Sequence, residues 1–121
     1  MRLQQTVPSG PTAPAQARAI VDELADQVAD EVRERVSLAV SEIVTNSYKH
    51  GGNPQGAPIE VSIDVGADRL RLEVFDHSIL DPTPETWREL EDVRWELVVL
   101  DRVATTWGKV SEGGVWAEFK L

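Results

Sequence analysis

The sequence contains no cysteine and only two histidines, His50 and His77. The lack of thiols excludes disulfides, thiolate catalysis and cysteine-based zinc sites. Two imidazoles are too few for a histidine-rich metal site. No stretch of about 18 apolar residues occurs, so we expect no membrane-spanning helix. The first residues, 1–6, lack the apolar core of a signal peptide, and we therefore expect a cytoplasmic protein.

Basic residues are also scarce. The chain has 12 Lys and Arg against 21 Asp and Glu, which gives a formal net charge of −9. A nucleic-acid-binding surface normally needs clustered positive charge, whereas Arg33, Arg35 and Lys49 are scattered. We therefore expect no direct binding to nucleic acid and no docking on an anionic membrane. A protein partner or a small ligand suits this composition better.

The apolar residues that are present follow regular periods. The chain has 121 residues, 41% of them hydrophobic, which predicts one globular domain over residues 1–121. Periodicity and breakers predict a strand, two helices, a hairpin, a third helix and a second hairpin. The predicted bounds are 2–7 for the first strand; 14–29, 31–50 and 93–106 for the helices; and 59–65 with 69–74, then 107–111 with 115–121, for the hairpins.

This order of elements predicts an α+β fold. It is a two-layer sandwich in which a mostly antiparallel sheet carries helices packed on one face. Thr12 and Asp30 are the expected N-caps of the first two helices. Residues 76–92 form a long connection with a short helix over 85–90. Trp107 and Trp116 lie on adjacent predicted strands, where we expect them to pack as a pair.

The second predicted helix has polar residues along the border of its apolar face. That face consists of Val32, Val36, Ala39, Val40, Ile43, Val44 and Ser47. With Glu42 at zero on a helical wheel, Asn46 falls at about 40° and His50 at about 80°, while the apolar arc runs from about 60° to about 200°. A carboxylate, an amide and an imidazole therefore form one stripe where a cleft would open.

This stripe has two interpretations. Glu42 and Asn46 can be boundary residues that hydrogen-bond to each other and to water, as is common on amphipathic helices. His50 can then be a C-terminal residue that complements the helix dipole. Alternatively, the three side chains line a binding cleft.

Four segments in the same order resemble one family. Residues 41–51, which read Ser41-Glu42-x-x-x-Asn46-x-x-x-His50-Gly51, resemble the N box of the histidine-kinase-like (Bergerat-fold) ATPases. The similarity is greatest to the anti-sigma-factor serine kinases. Residues 74–76 lie where that family carries its adenine-recognition aspartate, 97–108 are similar to its third-helix segment and 113–119 to its closing strand.

The resemblance implies a function and its residues. Asn46 would supply an oxygen ligand to Mg²⁺ that bridges the phosphates of ATP. Glu42 would be the catalytic base that takes a proton from a serine or threonine hydroxyl. Asp76 would accept a hydrogen bond from the adenine amino group, and His50 would also belong to the nucleotide site. The implied partner is a sigma factor or an anti-sigma-factor antagonist, and the family pattern is compatible with a homodimer.

The chain departs from the family pattern at several positions. Ser78 replaces the glycine of the Asp-x-Gly motif, and Trp95 with Glu96 replaces the glycines that end the lid. Arg94 could pair with phosphate and offset the Glu96 charge. Gly114 stands where the family often has a threonine. Two interpretations therefore remain: an ATP-dependent kinase or switch, and a non-catalytic relative that binds proteins but binds nucleotide weakly or not at all.

Overall fold

In the computed structural model the described residues are 1–50, 57–76, 98–110 and 113–121, without the side chains of 48–50. They form five strands and two complete helices, and residues 98–103 are also helical. The elements are β1 (Arg2–Val7), α1 (Ala13–Asp22), α2 (Asp30–His50), β2 (Ile59–Val65), β3 (Arg69–Phe75), β4 (Thr106–Val110) and β5 (Gly114–Lys120). The predicted α+β fold is confirmed.

The five strands make one antiparallel sheet in the order β1-β2-β3-β5-β4. Alternate residues of each strand point to one face, because side chains alternate along a strand. Leu72 on β3 pairs with Ile63 on β2 and Ala117 on β5, and all three are fully buried. This apolar row shows why the strands align in this register: a shift of one residue would turn every one of these side chains towards solvent.

The helices α1 and α2 pack against each other and cover the apolar face of the sheet. Ile20 and Val21 of α1 are buried, as are Val36, Val40 and Val44 of α2. The spacing of four along α2 places those valines on one side of the helix. Helix α2 contacts both β3 and β5. This packing of its buried side determines where the residues on the border of its apolar face lie relative to the sheet.

The first helix is shorter than predicted. It ends at Asp22 and not at residue 29. The next residues form tight turns, in which Leu24 N–H bonds to Val21 O at 3.0 Å and Gln27 N–H to Leu24 O at 3.0 Å. Leu24 and Val28 stay buried in these turns. Their burial continues the helical apolar period beyond the end of the helix, which is why the pattern predicted too long an element.

The predicted caps and the third helix also need correction. Thr12 is the N-cap of α1 but makes no side-chain capping hydrogen bond, and α2 begins at Asp30 itself. The third helix was predicted to reach residue 106, but its described part ends at 103, and Thr106 is the first residue of β4. The predictions for 77–97 fall outside the described residues.

The predicted tryptophan pair is wrong. Trp107 pairs with Ala117 and lies on the inner face of the sheet, whereas Trp116 pairs with Gly108 and lies on the outer face. The indole of Trp116 covers Gly108, where an added Cβ would lie 2.9 Å from the ring. The Arg71 guanidinium lies over the same indole, 4.5 Å from the ring centroid. A register offset of one residue therefore separates the two indoles.

Candidate functional site

The C-terminal half of α2 meets the end of β3 at a buried polar contact. Ser47 Oγ donates a hydrogen bond to Asp76 Oδ2 at 2.8 Å. Ser47 is only 4% exposed and Asp76 only 8%. A carboxylate taken out of water needs such donors. The contact therefore holds the Asp76 side chain in one place at the edge of the core.

The main chain of Asp76 is fixed as well. Its N–H donates to Gly113 O at 3.1 Å, and Gly113 N–H donates to Val110 O at 3.0 Å. Gly113 has a φ of 115°, a conformation that glycine adopts without steric penalty. The turn between β4 and β5 is thus joined to the end of β3. Asp76 is held by its side chain from one direction and by its backbone from another.

Gly114 explains one of the departures from the family pattern. It pairs with Phe75 of β3 at a φ of 152°. A Cβ at this position would lie 2.0 Å from Val74 O, far closer than any side chain permits. A threonine could not occupy position 114 on this backbone. The glycine is therefore required by the close approach of β5 to β3.

Asn46 lies next to Ser47 on α2 and holds an unusual atom. Its side chain is half-buried, and its Oδ1 is buried with no hydrogen-bond partner among the residues that the structure describes. A buried acceptor without a partner costs about 1–3 kcal/mol. Nearly all such atoms in proteins are satisfied, so an exception calls for an explanation such as a bound ion. The donor set suits a hard cation, which prefers oxygen ligands.

Glu42 lies one helical turn before Asn46. It too is half-buried. Around the helix axis it lies between the buried Ile43 and the exposed Leu38. The rise of an α-helix places its Cα about 6 Å from that of Asn46. Both residues lie on the border of the apolar face, as the helical wheel predicts. Their roles in binding and catalysis stay predictions.

Two predicted site residues cannot be placed. The side chain of His50 and the whole of Arg94 lie outside the described residues. The structure therefore brings Asp76 into contact with Ser47, the chain neighbour of Asn46, while Glu42 lies one turn before Asn46 on the same helix.

Ser47 is a site residue that the sequence pattern does not indicate, because it belongs to the apolar face of the helix. A signal was present, since a hydroxyl that points into a core must find a partner. That partner is an acidic residue far along the chain, and only the fold shows which one. Asp76 was predicted from the family pattern, but its contact with Ser47 was not.

No cluster of three or more His, Asp or Glu side chains that could hold a metal occurs in the described part of the chain. A divalent cation at Asn46 would therefore need most of its ligands from phosphate and water, which is the usual coordination of protein-bound Mg²⁺. Among the same residues, no helix is long and apolar enough to cross a membrane.

The comparisons with known proteins show the family of this chain. The family model described as the histidine kinase-like ATPase domain matches residues 7–114. This span covers most of the chain, so the chain belongs to that family. No curated protein matches the chain. The family is one of ATPase domains. In this chain, Ser47 and Asp76 meet where α2 packs beside the end of β3.

Proposed function

We propose that this domain binds ATP together with Mg²⁺ at the junction of α2 and β3. The observation that supports this best is the buried Oδ1 of Asn46, which has no hydrogen-bond partner in the described part of the chain. A fold keeps such an atom at a cost of about 1–3 kcal/mol. A cation bound there would satisfy the oxygen and offset that cost. Mg²⁺ would neutralise charge on the phosphates, and Asn46 would hold it.

Asp76 would recognise the base. Its carboxylate accepts a hydrogen bond from Ser47 Oγ, and its backbone N–H donates to the carbonyl of Gly113. A carboxylate accepts hydrogen bonds, so it suits the exocyclic amino group of adenine and repels the carbonyl oxygen that guanine has at the same position. A site built to hydrogen-bond one group strongly rejects the analogue that lacks it. We therefore expect ATP to bind in preference to GTP.

We further propose that the domain is a serine/threonine protein kinase or a regulatory switch of the anti-sigma-factor type. Glu42 would accept the proton of a serine or threonine hydroxyl on an antagonist protein. The hydroxyl oxygen would then bond to the terminal phosphorus, and ADP would leave. The location of Glu42 on the same helix as Asn46, one turn away, supports this role, because both groups would face the same phosphates.

The second candidate is a protein-binding module without catalysis. It is favoured by the residues Trp95-Glu96, which bring bulk and negative charge where relatives have glycines. At about 4 Å, two like charges repel by roughly 4 kcal/mol at an effective dielectric of 20. This candidate keeps the fold and the partner surface but predicts weak nucleotide binding or none.

A calorimetric titration with Mg·ATP separates the two candidates. We expect saturable heat with ATP, less with GTP, and a loss of binding in Asn46→Ala and Asp76→Asn. Leu38→Ala is a matched control, because Leu38 is on the same helix but exposed. If millimolar Mg·ATP gives neither heat nor a rise in melting temperature, the domain is a protein-binding module.

A second experiment tests catalysis. Glu42→Gln keeps the shape of the side chain but removes the base. We expect phosphate transfer from ATP to a serine-containing antagonist protein to fall by about 100-fold or more, while Mg·ATP affinity changes little. Transfer at the wild-type rate would exclude Glu42 as the base and leave the nucleotide site in place.

A further inference from the structure

Helix α2 carries a row of side chains that leads from solvent to the candidate site. Glu34, Leu38 and Glu42 precede Asn46 at intervals of four residues, and side chains four apart are neighbours on a helix surface. Glu34 and Leu38 are exposed, whereas Glu42 and Asn46 are half-buried. The row therefore begins in water and ends at the proposed base and the proposed cation ligand.

Leu38 places an exposed apolar side chain in this row. It is 43% exposed, and no other large apolar side chain in the described part of α2 is exposed. A single exposed leucine is common on protein surfaces, so its exposure alone would indicate nothing. Leu38, however, lies one helical turn from the proposed base and one turn from an acidic side chain. An apolar contact at this place would hold a second molecule beside Glu42.

The acidic side chain at the outer end of the row is Glu34. Arg35 pairs with Glu31, and Arg18 donates a hydrogen bond to Ser41 Oγ at 2.8 Å, so these neighbouring arginines are engaged elsewhere. Glu34 has no ion-pair partner among the described residues. The outer end of the row therefore keeps a negative charge that a basic group can neutralise.

We propose that Glu34, Leu38 and Glu42 form a docking row for an extended segment of the phosphate-accepting protein. The serine or threonine hydroxyl of that segment lies at Glu42, an apolar side chain packs on Leu38, and a lysine or arginine faces Glu34. Since it takes Glu42 as the base, this docking row rests on the proposed kinase function and names the substrate class of that site. The net charge of −9 also favours the approach of a basic segment.

The spacing of the row matches that of an extended chain. Four residues of an α-helix rise by about 6 Å. Two residues of an extended segment advance by about 6.6 Å, and their side chains point to the same side. The hydroxyl, the apolar side chain and the basic side chain therefore occupy alternate positions of the segment. Both chain directions satisfy this spacing.

Capped peptides of identical composition test the spacing. Ser-Gly-Leu-Gly-Arg and Arg-Gly-Leu-Gly-Ser present the three side chains at alternate positions in the two chain directions. In Ser-Leu-Gly-Gly-Arg the leucine points to the other side of the segment. In NMR titrations of the isotope-labelled domain, we expect one of the first two peptides to shift the amide signals of residues 34–45, and the third to bind about fivefold more weakly or worse. Equal binding of all three, shifts only elsewhere, or no shift at millimolar peptide would overturn the proposal.

Substitutions in the chain test the contacts separately. Leu38→Ala should weaken the peptide that binds by about tenfold, and Glu34→Lys should weaken it by about threefold or more. A peptide with glutamate in place of its arginine should bind Glu34→Lys better than it binds wild type. Asp68→Lys makes the same charge change at an exposed residue in the turn between β2 and β3 and should have little effect. If Asp68→Lys and Glu34→Lys weaken binding equally, the charge does not act within the row and the docking site is wrong.

The docking row and the kinase function can fail independently. The NMR titration needs no nucleotide, and neither Leu38→Ala nor Glu34→Lys should change the affinity for Mg·ATP. In phosphate transfer, Leu38→Ala should raise KM for the peptide and leave kcat unchanged, because Leu38 does not touch the reacting atoms. A peptide that binds along the row but is never phosphorylated would refute the kinase and retain the docking row. Phosphorylation with an unchanged KM in both variants would refute the docking row and retain the kinase.

Discussion

Replacement of Asn46 by leucine should raise the stability of the ligand-free domain. Asn46 Oδ1 is buried and has no partner within residues 1–50, 57–76, 98–110 and 113–121, and removing an unsatisfied buried acceptor recovers about 1–3 kcal/mol. Leucine fills a similar volume, and its higher helix propensity adds about 0.5 kcal/mol. Since 1 kcal/mol shifts the melting temperature of a domain of this size by about 3–6 °C, the variant should melt several degrees above wild type.

The same substitution should abolish the response to nucleotide. A ligand at 100 times its dissociation constant stabilises a protein by about 2.7 kcal/mol, so wild type should gain that much with Mg·ATP and the leucine variant nothing. Urea denaturation with and without Mg·ATP measures both effects. A leucine variant that loses more than about 1 kcal/mol without ligand would show that Asn46 is a structural residue, and the reasoning would fail.

Three further substitutions test the packing around the site. Ser47→Ala removes a hydrogen bond to a buried carboxylate and should lower the unfolding free energy by about 1.5–3 kcal/mol; in a double-mutant cycle with Asp76→Asn the two losses should not add. Gly114→Ala should destabilise far more than Gly10→Ala, because both glycines have a φ near 150° but only Gly114 has a backbone oxygen in the way; equal losses in thermal melts would refute the steric argument. Arg71→Ala, on the exposed outer face, should cost less than about 2 kcal/mol in urea denaturation despite its two ion pairs and its ring contact, because exposed pairs contribute little.

The sheet could be predicted from sequence almost to the residue. In β2 and β3, Ile59, Val61 and Ile63 alternate with polar residues and so do Leu70 and Leu72, which is a period that only a strand with one buried face explains. Glycine and aspartate at 66–68 mark the turn between them. Such signals are local, and the structure uses them without alteration.

Other features depend on contacts that the sequence does not reveal. The end of α1 was missed because Leu24 and Val28 are buried in turns as deeply as they would be in a helix. The tryptophan pair failed because the register of β4 against β5 differs by one residue from the one that would align Trp107 with Trp116. In both cases the apolar residues were identified correctly, but their neighbours were set by tertiary packing.

The candidate site likewise has features that the sequence predicts and features that only the fold reveals. The position of Glu42 and Asn46 on the border of α2 follows from helical geometry. That the Asn46 oxygen lacks a partner, and that Ser47 reaches Asp76, depends on how α2 lies over β3. The Ser47–Asp76 hydrogen bond joins residues that are 29 positions apart, and the periodicity of neither segment predicts it.

The bond between Asp76 N–H and Gly113 O has a consequence for the timing of synthesis. Position 76 is translated long before position 113, yet its backbone is fixed only when the closing hairpin has paired with β3. A nascent chain that still lacks β5 would contain α2 and β3, but the backbone of Asp76 would not yet be fixed by Gly113. The proposed preference of Asp76 for adenine should therefore appear only after β5 has been synthesised and has paired with β3.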